Sequence, residues 1–367
     1  MADKEYAQEQ KRLRAERKKA RKRKLKRILL VVEALLILVL AAGAYVVAKF
    51  DKLDITPIDV EEEISVNEEV KENETLKEYT NIALFGIDSR DESLSDGNRS
   101  DTMMIASINN KTHEIKLVSV YRDSYLLIPR EENAYYDKAN LAYFYGGPKM
   151  SINLMNVNLD LDITDYVAVN FSALIDTIDA LGGIDIEINE YERQYINGYM
   201  TETSEITGKE IVPVTETGLV HLNGLQATAY CRIRQTAGDD YRRTERQRLV
   251  LAKLAEKAKE ADLIKLNNVI DKVLPNVSTS LEVAEIYELA KDVAKYELVD
   301  NTGFPFEKQG MGMGSKGDCV IPINLEKNVK DLHTWLFGAE EYEVSSMVKA
   351  ISDTIKEDSG LTGETAQ

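Results

Sequence analysis

Histidine, cysteine and tryptophan are scarce in this sequence, which contains 3 His, 2 Cys and 1 Trp among 367 residues. The histidines, His113, His221 and His333, do not have the spacing of metal ligands, so a zinc site is not expected. The sequence also lacks a P-loop, a GxSxG motif and a Rossmann glycine fingerprint. These absences argue against zinc enzymes, nucleotide-dependent enzymes and hydrolases with a nucleophilic serine elbow.

Charge is divided unevenly along the chain, which has a formal net charge of −17. Residues 1–27 carry 13 Lys and Arg against 4 Asp and Glu, whereas residues 49–367 carry 33 against 58. A short basic head is attracted to anionic lipid, and a long acidic body disfavours non-specific binding to nucleic acid. Nucleic-acid binding by the basic run is the alternative, but a position beside a membrane explains that run without further assumption.

Between these two parts lie 21 nearly uninterrupted apolar residues, 28–48. At about 1.5 Å per residue, a helix of this length matches the hydrocarbon core of a bilayer, so one transmembrane helix is predicted. Basic residues directly precede the apolar run, which favours a cytoplasmic N-terminus and an extracytoplasmic chain after Phe50. A cleavable signal peptide ending near Ala42-Gly43-Ala44 is the alternative interpretation.

Beyond the apolar run, strands alternate with helices, which predicts an α/β layered domain with a central mixed sheet flanked by helices. We expect a solvated extracytoplasmic stalk at 49–78, the folded domain at 79–338 and a C-terminal helix and tail at 339–367, disordered from 357. The polar residues 190–218 are expected to form an exposed excursion. The predicted strands are 81–87, 103–108, 115–121, 184–188, 226–233 and 319–323, and the predicted helices are 138–145, 149–159, 171–181, a helix from 243, 264–274, 281–296 and 325–337.

Aspartates and arginines occur together at the ends of predicted strands, and the first such cluster flanks one loop. Asp88 and Arg90 follow one strand, and Arg99 and Asp101 precede the next. Two carboxylates at a loop mouth suit a hard divalent cation such as Mg²⁺, which also takes phosphate oxygens as ligands. Solvated side chains in a polar loop are the alternative.

Two more basic groups follow later in the chain. Arg122-Asp123 lies at the end of a strand, and Arg232 and Arg234 are two apart on a predicted strand, so both side chains would leave one face. Two guanidinium groups on one face repel each other unless an anion lies between them. Bidentate recognition of phosphate is the usual function of such a pair.

Asp240 precedes the helix predicted from 243, which presents Arg243, Arg246 and Gln247 at i, i+3 and i+4 on one face. Backbone N–H groups at a helix N-terminus also favour anions. A solvated basic face is the alternative, because two further arginines lie nearby. Together with the strand pair, this helix predicts a phosphate-binding site.

Five segments in order resemble the LytR-CpsA-Psr family: LFGIDSR with GNRSDTMMIASIN, LVSVYRDSYLLIP, KANLAYFYGG, VNFSALIDTIDALGGIDIEI, and GLVHLNGLQATAYCRIR with DDYRRTERQ. The resemblance covers about 79–338. It implies an α/β catalytic domain whose helices enclose an apolar tunnel for a polyprenyl chain, with a pyrophosphate at the tunnel mouth. The implied activity is magnesium-dependent transfer of a glycopolymer, such as a teichoic acid or a capsular polysaccharide, from a polyprenyl-pyrophosphate carrier to peptidoglycan.

The resemblance also implies roles for individual residues. Asp88 and Asp101 would hold Mg²⁺, and the catalytic positions would be Arg122, Asp240 and Arg243. The side chains implied to bind the pyrophosphate are Arg99, Arg122, Arg232, Arg234, Arg243 and Gln247, with Arg90 and Arg246 as further contacts. Tyr121 and Arg242 depart from the usual family pattern, but neither change removes a proposed ligand.

In-line phosphoryl transfer needs mainly positioning and charge neutralisation, which magnesium and arginines supply. A peptidoglycan sugar hydroxyl is expected to attack the phosphorus next to the glycan, which leaves polyprenyl phosphate in the membrane. Two alternatives are open. One is a polyprenyl-pyrophosphate phosphatase that uses water as the acceptor, and the other is a non-catalytic envelope regulator that binds lipid-linked precursors.

The two cysteines, Cys231 and Cys319, lie in the part of the chain predicted to be extracytoplasmic, where a disulfide is permitted. Cys231 is on the predicted strand that carries the arginine pair, and Cys319 begins another predicted strand. We therefore expect a disulfide that braces the site, with two buried thiols as the alternative.

Overall fold

The structure, a computed structural model, describes residues 49, 52–87, 94–130, 134–234 and 239–361. The predicted basic tail and the predicted transmembrane helix at 28–48 lie outside these residues. Within the described ranges, no helix combines the length and apolar character needed to cross a bilayer. Residues from Leu53 onward form one compact unit.

The central sheet is mixed, as the alternation of strands and helices predicted. Its seven strands run in the order β1-β10-β7-β2-β3-β4-β11, with β2-β3 and β3-β4 antiparallel and β2-β7 and β4-β11 parallel. Three two-stranded sheets, β5-β6, β8-β9 and β12-β13, lie outside it. The described strands are β1 Asp54–Ile55, β2 Tyr79–Ile87, β3 Ser100–Asn109, β4 Glu114–Val120, β5 Tyr125–Ile128, β6 Tyr135–Lys138, β7 Asp165–Val169, β8 Ile184–Ile188, β9 Gly218–Leu222, β10 Val277–Thr279, β11 Glu297–Phe304, β12 Lys308–Gly312 and β13 Asp318–Pro322.

Helices cover both faces of this sheet. The described α-helices are α1 Val60–Glu63, α2 Glu68–Lys71, α3 Leu141–Leu159, α4 Phe171–Leu181, α5 Glu190–Thr207, α6 Gly224–Arg232, α7 Asp239–Glu260, α8 Leu263–Val273, α9 Val283–Lys291, α10 Leu325–Phe337 and α11 Ser346–Ser359. Short 3₁₀ turns occur at Leu76–Glu78, Leu274–Asn276 and Gly314–Lys316. Helix α3 is kinked at Gly146 and Gly147, which have non-helical backbone angles.

Alternating side chains of the strands point to opposite faces, and each face packs against a different helical layer. Phe85 and Ile105 belong to the larger core, which α3, α10 and α11 complete with residues such as Leu154, Leu332 and Val348. A second core lies among β8, β9 and helices α4 to α7. The helices of this second core stand over the other face of the sheet, where the cavity described below is found.

The prediction of a solvated stalk is wrong for residues 53–78, because this segment packs on the domain. Strand β1 pairs with β10, and the side chains of Val70 and Leu76 are only 2% and 1% exposed. The buried Asn67 donates hydrogen bonds to the carbonyl of Val157 and to the Asp160 carboxylate. The composition of the segment is polar, but a few well-spaced apolar residues are sufficient to dock it.

Two segments that were not predicted to be helical form helices. Residues 190–207, expected as an exposed excursion, form α5, which begins with a capping box between Asn189 and Glu192. The predicted strand at 226–233 is helix α6, whose capping box joins Asn223 and Gln226. All residues of Gly224–Cys231 are buried, so apolar residues do not recur with the 3.6-residue period of a helix that has one exposed face. A short run of this kind cannot be distinguished from a buried strand by its sequence pattern. The tail predicted from 357 is likewise helical to Ser359.

The expected disulfide is also wrong, because both cysteines are free and buried. Cys231 lies in α6 within the second core, whereas Cys319 lies on β13 within the larger core. Burial raises the pKa of the Cys231 thiol to about 12 and that of Cys319 to about 11. Each thiol therefore acts as a small apolar side chain in its own core.

Close packing of α6 on α4 depends on Gly224, and this gives a stability prediction. A Cβ at this position would lie 2.3 Å from the carbonyl oxygen of Ile175, a backbone atom that cannot move without shifting α4. Gly224→Ala is therefore expected to lower the free energy of unfolding by about 1–3 kcal/mol. Urea unfolding followed by circular dichroism measures this change.

Gly198 provides the matched control, since it lies inside α5 and a Cβ there would meet no atom of the described residues within 4 Å outside its own stretch of helix. Gly198→Ala should raise the free energy of unfolding by about 0.5–1 kcal/mol, because alanine loses less backbone freedom than glycine in a helix. Equal stability of the parent and Gly224→Ala would contradict the packing described.

Candidate functional site

A cavity of about 240 Å³ lies between the central sheet and helices α4, α6 and α7. Its floor follows directly from strand register, because residues opposite each other on β7, β2 and β3 point to the same face. One row across these strands is Val167, Leu84 and Met104, and the next row is Val169, Gly86 and Thr102. A Cβ on Gly86 would lie 2.9 Å from the Thr102 side chain, so glycine is required in the second row.

The body of the cavity is apolar and one end is polar. Phe171 and Leu174 of α4 and Val250 and Leu251 of α7 form apolar walls. The polar and charged lining residues include Asp101, Thr102, Thr228, Arg232, Arg243 and Gln247. This combination suits an amphiphile with an apolar chain and an anionic head.

Asp101 is the centre of the charged end, and its side chain is 14% exposed. Nη1 of Arg122 donates a short hydrogen bond to Oδ1 of Asp101, and Nη2 of Arg234 donates to Oδ2 at 2.5 Å. Arg243 approaches from α7, with its Nη1 4.0 Å from Oδ2 and its Nη2 donating to the Asp101 carbonyl oxygen at 3.3 Å. Three guanidinium groups from separate segments therefore meet at one carboxylate.

This cluster carries more positive than negative charge. Burial of Asp101 raises the pKa of its carboxyl group, but the charges of Arg122, Arg243 and Arg234 outweigh burial and hold that pKa below its usual value. Asp101 is therefore ionised, and among the described side chains the carboxylates of Asp101 and Asp123 face the three guanidinium groups of Arg122, Arg234 and Arg243. An anion such as a phosphate would restore the balance of charge, and guanidinium groups bind phosphates with two parallel hydrogen bonds.

Two buried polar atoms in the lining have no hydrogen-bond partner within the described ranges. They are Oε1 of Gln247 and Oγ1 of Thr228. Gln247 is 9% exposed and Thr228 is fully buried. Because an unsatisfied buried polar group is unfavourable, these atoms are suited to contact a ligand or water in the cavity.

The structure brings together several residues that the sequence analysis singled out from distant segments. Asp101, Arg122, Arg234 and Arg243 are in contact, and Gln247 lines the same cavity as Asp101 and Arg243. The prediction that Arg243 and Gln247 share one helix face therefore holds. They are separated by one turn of α7.

Arg232 and Arg234 do not share a strand face, so that interpretation is corrected. Arg232 ends α6, where it donates to the Thr203 hydroxyl at 2.8 Å and to the Glu202 carboxylate at 3.0 Å. Its guanidinium group also lies over the Phe171 ring at 4.8 Å. Arg232 still lines the cavity, whereas Arg234 reaches Asp101 from the segment after the helix.

Arg246, predicted as a further pyrophosphate contact, does not line the cavity. Its Nε donates to the Glu192 carboxylate at 3.1 Å and its Nη1 donates to the Ile233 carbonyl at 3.2 Å. These bonds join α7 to α5 and to the end of α6. Arg246 therefore positions the helices that carry the site.

Arg99 lies on a different cavity, which it shares with Arg122. Asp88 and Arg90 lie outside the described residues, as does the side chain of Asp240, whose backbone is in the first turn of α7. Within the ranges described, no three carboxylate, histidine or cysteine side chains are grouped as metal ligands. Both Asp101 oxygens accept from arginines, so the described residues do not by themselves form a magnesium site.

Residues 49–320 match the LytR_cpsA_psr family. The chain belongs to the LytR-CpsA-Psr family. Among curated relatives of this family, the polyisoprenyl-teichoic acid–peptidoglycan teichoic acid transferase TagU of Bacillus subtilis is 29% identical over 284 residues, which is 76% of this chain and 85% of TagU. The TagU of Halalkalibacterium halodurans is 32% identical over 227 residues, 59% of this chain and 68% of the relative.

Solved structures share the fold of this chain. Protein gbs0355 of Streptococcus agalactiae has a TM-score of 0.63 at 23% identity, with 80% of this chain and 99% of that chain covered. The LytR-CPS2A-psr family protein YwtF (TagT) with bound octaprenyl pyrophosphate lipid has a TM-score of 0.55 at 23% identity, covering 77% of this chain and 99% of that chain. The α/β fold of the LytR-CpsA-Psr family is thus also the fold of this chain.

An apolar tunnel was implied by the family resemblance, but the apolar residues that line it were not predicted from the sequence, nor were Thr228 and the Glu202 partner of Arg232. A signal for the lining existed, since the segments that form β2, β3 and β7 are apolar on both faces, as is typical of a sheet covered on both sides, although β7 was not predicted as a strand. No signal pointed to Thr228 or Glu202. Thr228 lies in the segment predicted as a strand, and Glu202 lies in the segment expected to form an exposed excursion.

Proposed function

We propose that this chain is a phosphotransferase that moves a glycopolymer from a polyprenyl-pyrophosphate carrier onto peptidoglycan. The observation that carries this proposal is the apolar cavity whose lining residue Asp101 is contacted by the guanidinium groups of Arg122, Arg234 and Arg243. The names of the TagU relatives, which are teichoic acid transferases, and of the TagT complex with octaprenyl pyrophosphate support the same class of substrate.

The apolar rows of the sheet and the walls from α4 and α7 would hold the polyprenyl chain. Burial of a hydrocarbon chain there is favoured by about 0.8 kcal/mol per methylene group. The polyprenyl chain would lie with its attached pyrophosphate at the charged end of the cavity, near Arg122, Arg234 and Arg243. Asp101 would then orient these guanidinium groups for the phosphate oxygens.

The reaction would be an in-line displacement at the phosphorus next to the glycan. A sugar hydroxyl of peptidoglycan attacks that phosphorus, the bond to the bridging oxygen breaks, and polyprenyl phosphate leaves. The negative charge that develops on the phosphoryl oxygens is stabilised by arginines already in place. The chain's own contribution is therefore to position the donor and to neutralise charge.

Magnesium is part of this proposal, with Asp88 and Asp101 as its carboxylate ligands. Since Asp101 is held by arginines, we propose that the ion binds together with the donor, whose phosphate oxygens complete its ligands. Bound in this way, magnesium would supply further positive charge at the pyrophosphate. Calorimetry should show magnesium binding that requires a pyrophosphate ligand and is lost in Asp101→Asn. Equal binding without pyrophosphate would contradict this arrangement.

We also propose that one transmembrane helix at 28–48 anchors the protein with its N-terminus in the cytoplasm and its domain outside. The charge division of the sequence supports this topology. Protease added to cells with permeable walls should remove a C-terminal tag and leave an N-terminal tag intact. The reverse pattern would contradict the topology.

Deletion of the gene followed by analysis of wall-bound glycans tests the function in cells. Loss of one phosphate-linked glycopolymer, restored by the parent, is the expected result, and it also identifies the polymer. Release of free glycan without any loss of linked polymer would instead favour the phosphatase alternative. Complementation by a folded Arg243→Ala protein would favour a non-catalytic regulator.

A further inference from the structure

A second cavity, of about 280 Å³, lies on the other side of the Asp101–Arg122 ion pair, and nothing described above uses it. Asp101 lines the apolar cavity and Arg122 lines this second one, so the ion pair lies between the two. The residues that line the second cavity are Arg99, Arg122, Asp123, Asp137, Lys138, Asn140, Leu141, Ser315 and Lys316. We call it the polar cavity.

The polar cavity is built by four separate parts of the chain. Arg99 precedes β3, Arg122 and Asp123 follow β4, residues 137–141 join β6 to α3, and Lys316 lies in the 3₁₀ turn before β13. The backbone holds these parts together, because the amide of Asn140 donates to the Arg122 carbonyl and that of Val320 donates to the Asp123 carbonyl, both at 2.9 Å. The cavity is therefore a feature of the fold.

We propose that the polar cavity binds the acceptor saccharide and that Asp123 takes the proton from the attacking hydroxyl. This inference rests on the proposed function. In an in-line displacement, the nucleophile must approach the phosphorus from the side opposite the leaving group. If the leaving polyprenyl phosphate is held in the apolar cavity, the acceptor has to come from beyond the Asp101–Arg122 pair, where the polar cavity lies.

Charge favours an acceptor that carries carboxylates as well as hydroxyl groups. Lys138 and Lys316 line the polar cavity although the chain as a whole has a formal net charge of −17. Nζ of Lys316 donates a hydrogen bond to the Tyr125 hydroxyl at 2.8 Å and lies 4.7 Å from the centroid of the Tyr125 ring, so the lysine is held in place. An acidic saccharide such as a peptide-bearing amino-sugar chain would find fixed cations there.

Asp123 is the carboxylate best placed to accept the proton. Its Oδ2 lies 3.4 Å from Nε of Arg122, and its Oδ1 lies 3.4 Å from Nζ of Lys138. It is thus one side chain away from the proposed phosphate position. Asp101 is a poor alternative, since both of its oxygens accept from arginines, and Asp137 accepts from the amide of Lys138 at 2.8 Å.

The step balances without any further reactant. The acceptor O–H bond breaks and its proton passes to an Asp123 carboxylate oxygen. The acceptor oxygen forms a bond to the glycan-proximal phosphorus, and the bond from that phosphorus to the bridging oxygen breaks. The leaving polyprenyl phosphate keeps the electron pair of the broken bond, and the proton on Asp123 later returns to solvent.

The test compares the full-length parent, Asp123→Asn and Lys316→Met with a synthetic polyprenyl-pyrophosphate glycan and peptidoglycan fragments. Asp123→Asn should lower kcat by at least about 100-fold, while donor affinity stays within twofold of the parent. Lys316→Met should instead raise KM for the acceptor by about tenfold and leave kcat nearly unchanged. The different effects on kcat and KM distinguish Asp123, which takes the proton, from Lys316, which binds the acceptor saccharide.

Chemical rescue gives a readout that a merely structural role would not change. Among the described residues, the charged side chains that line the polar cavity together with Asp123 are Arg99, Arg122, Asp137, Lys138 and Lys316. Formate, a small carboxylate, should partly restore the rate of Asp123→Ala.

Each outcome has a distinct meaning. Parental transfer with an unchanged kcat in folded Asp123→Asn would overturn the role of Asp123. A parental KM for the acceptor in Lys316→Met would overturn the polar cavity as the acceptor site. Absence of transfer by the parent itself would overturn the proposed function and this inference together. If Asp123→Asn does not fold, failure of formate to restore folded Asp123→Ala overturns the role of Asp123.

Discussion

Arg243→Ala is expected to reduce glycopolymer transfer by about 100-fold or more. Arg243 is 1% exposed and contacts Asp101 at the charged end of the apolar cavity. Loss of one hydrogen-bond donor that stabilises developing charge typically lowers the rate by about 10²–10³-fold. Arg243→Lys should recover little of this loss, because an ammonium group cannot form the two parallel bonds of a guanidinium group. Transfer from a lipid-pyrophosphate glycan to peptidoglycan fragments measures the effect.

Arg248 supplies the matched control, since it is a second buried arginine on α7. It is 6% exposed, donates to the Asn301 side chain at 2.8 Å, and is absent from the lining of the apolar cavity. Arg248→Ala should lower stability without a comparable loss of transfer. A folded Arg243→Ala protein that transfers at the parental rate would show that the pyrophosphate is bound elsewhere.

Leu174→Trp should prevent transfer from long polyprenyl donors. Leu174 of α4 lines the apolar cavity of about 240 Å³, and the larger indole would narrow the space available to a hydrocarbon chain. Donors with a long chain should lose at least about tenfold in kcat/KM, whereas a donor with a very short chain should react as with the parent. The measurement is kcat/KM as a function of donor chain length.

Ile264→Trp is the control for the added indole, because Ile264 is a helical residue of α8 that is 75% exposed. This variant should show the parental dependence on chain length. If Leu174→Trp also shows that dependence, the polyprenyl chain does not lie in the apolar cavity.

Much of the fold could be predicted because its elements carry strong local signals. Helix α4 has an apolar face, Asn170 as its N-cap and Gly182 at its C-terminus, so its bounds were predicted without error. Helix α6 could not be predicted in this way, because all residues from Gly224 to Cys231 are buried and the sequence shows no apolar periodicity. Tertiary packing, which a local pattern does not contain, determines that helix.

The candidate site was predicted unevenly for a similar reason. Asp101, Arg122 and Arg243 occur in motifs with chemical meaning, and the structure brings them into contact. Lys138 begins the KANLAYFYGG segment but was given no role there, and Lys316 lies outside the five family segments. The two lysines are 178 positions apart in sequence, and the turn before β13 brings them to one cavity. Charge clusters formed by distant segments require the fold to be known.

The central claim is tested most directly by following the glycan-proximal phosphorus of the donor. A polyprenyl-pyrophosphate glycan labelled at that phosphorus is incubated with the parent, magnesium and peptidoglycan fragments. The account predicts that the label becomes covalently bound to peptidoglycan together with the glycan, while unlabelled polyprenyl phosphate is released. Label that appears only on free glycan phosphate, or that stays with the lipid, would contradict transfer to the wall.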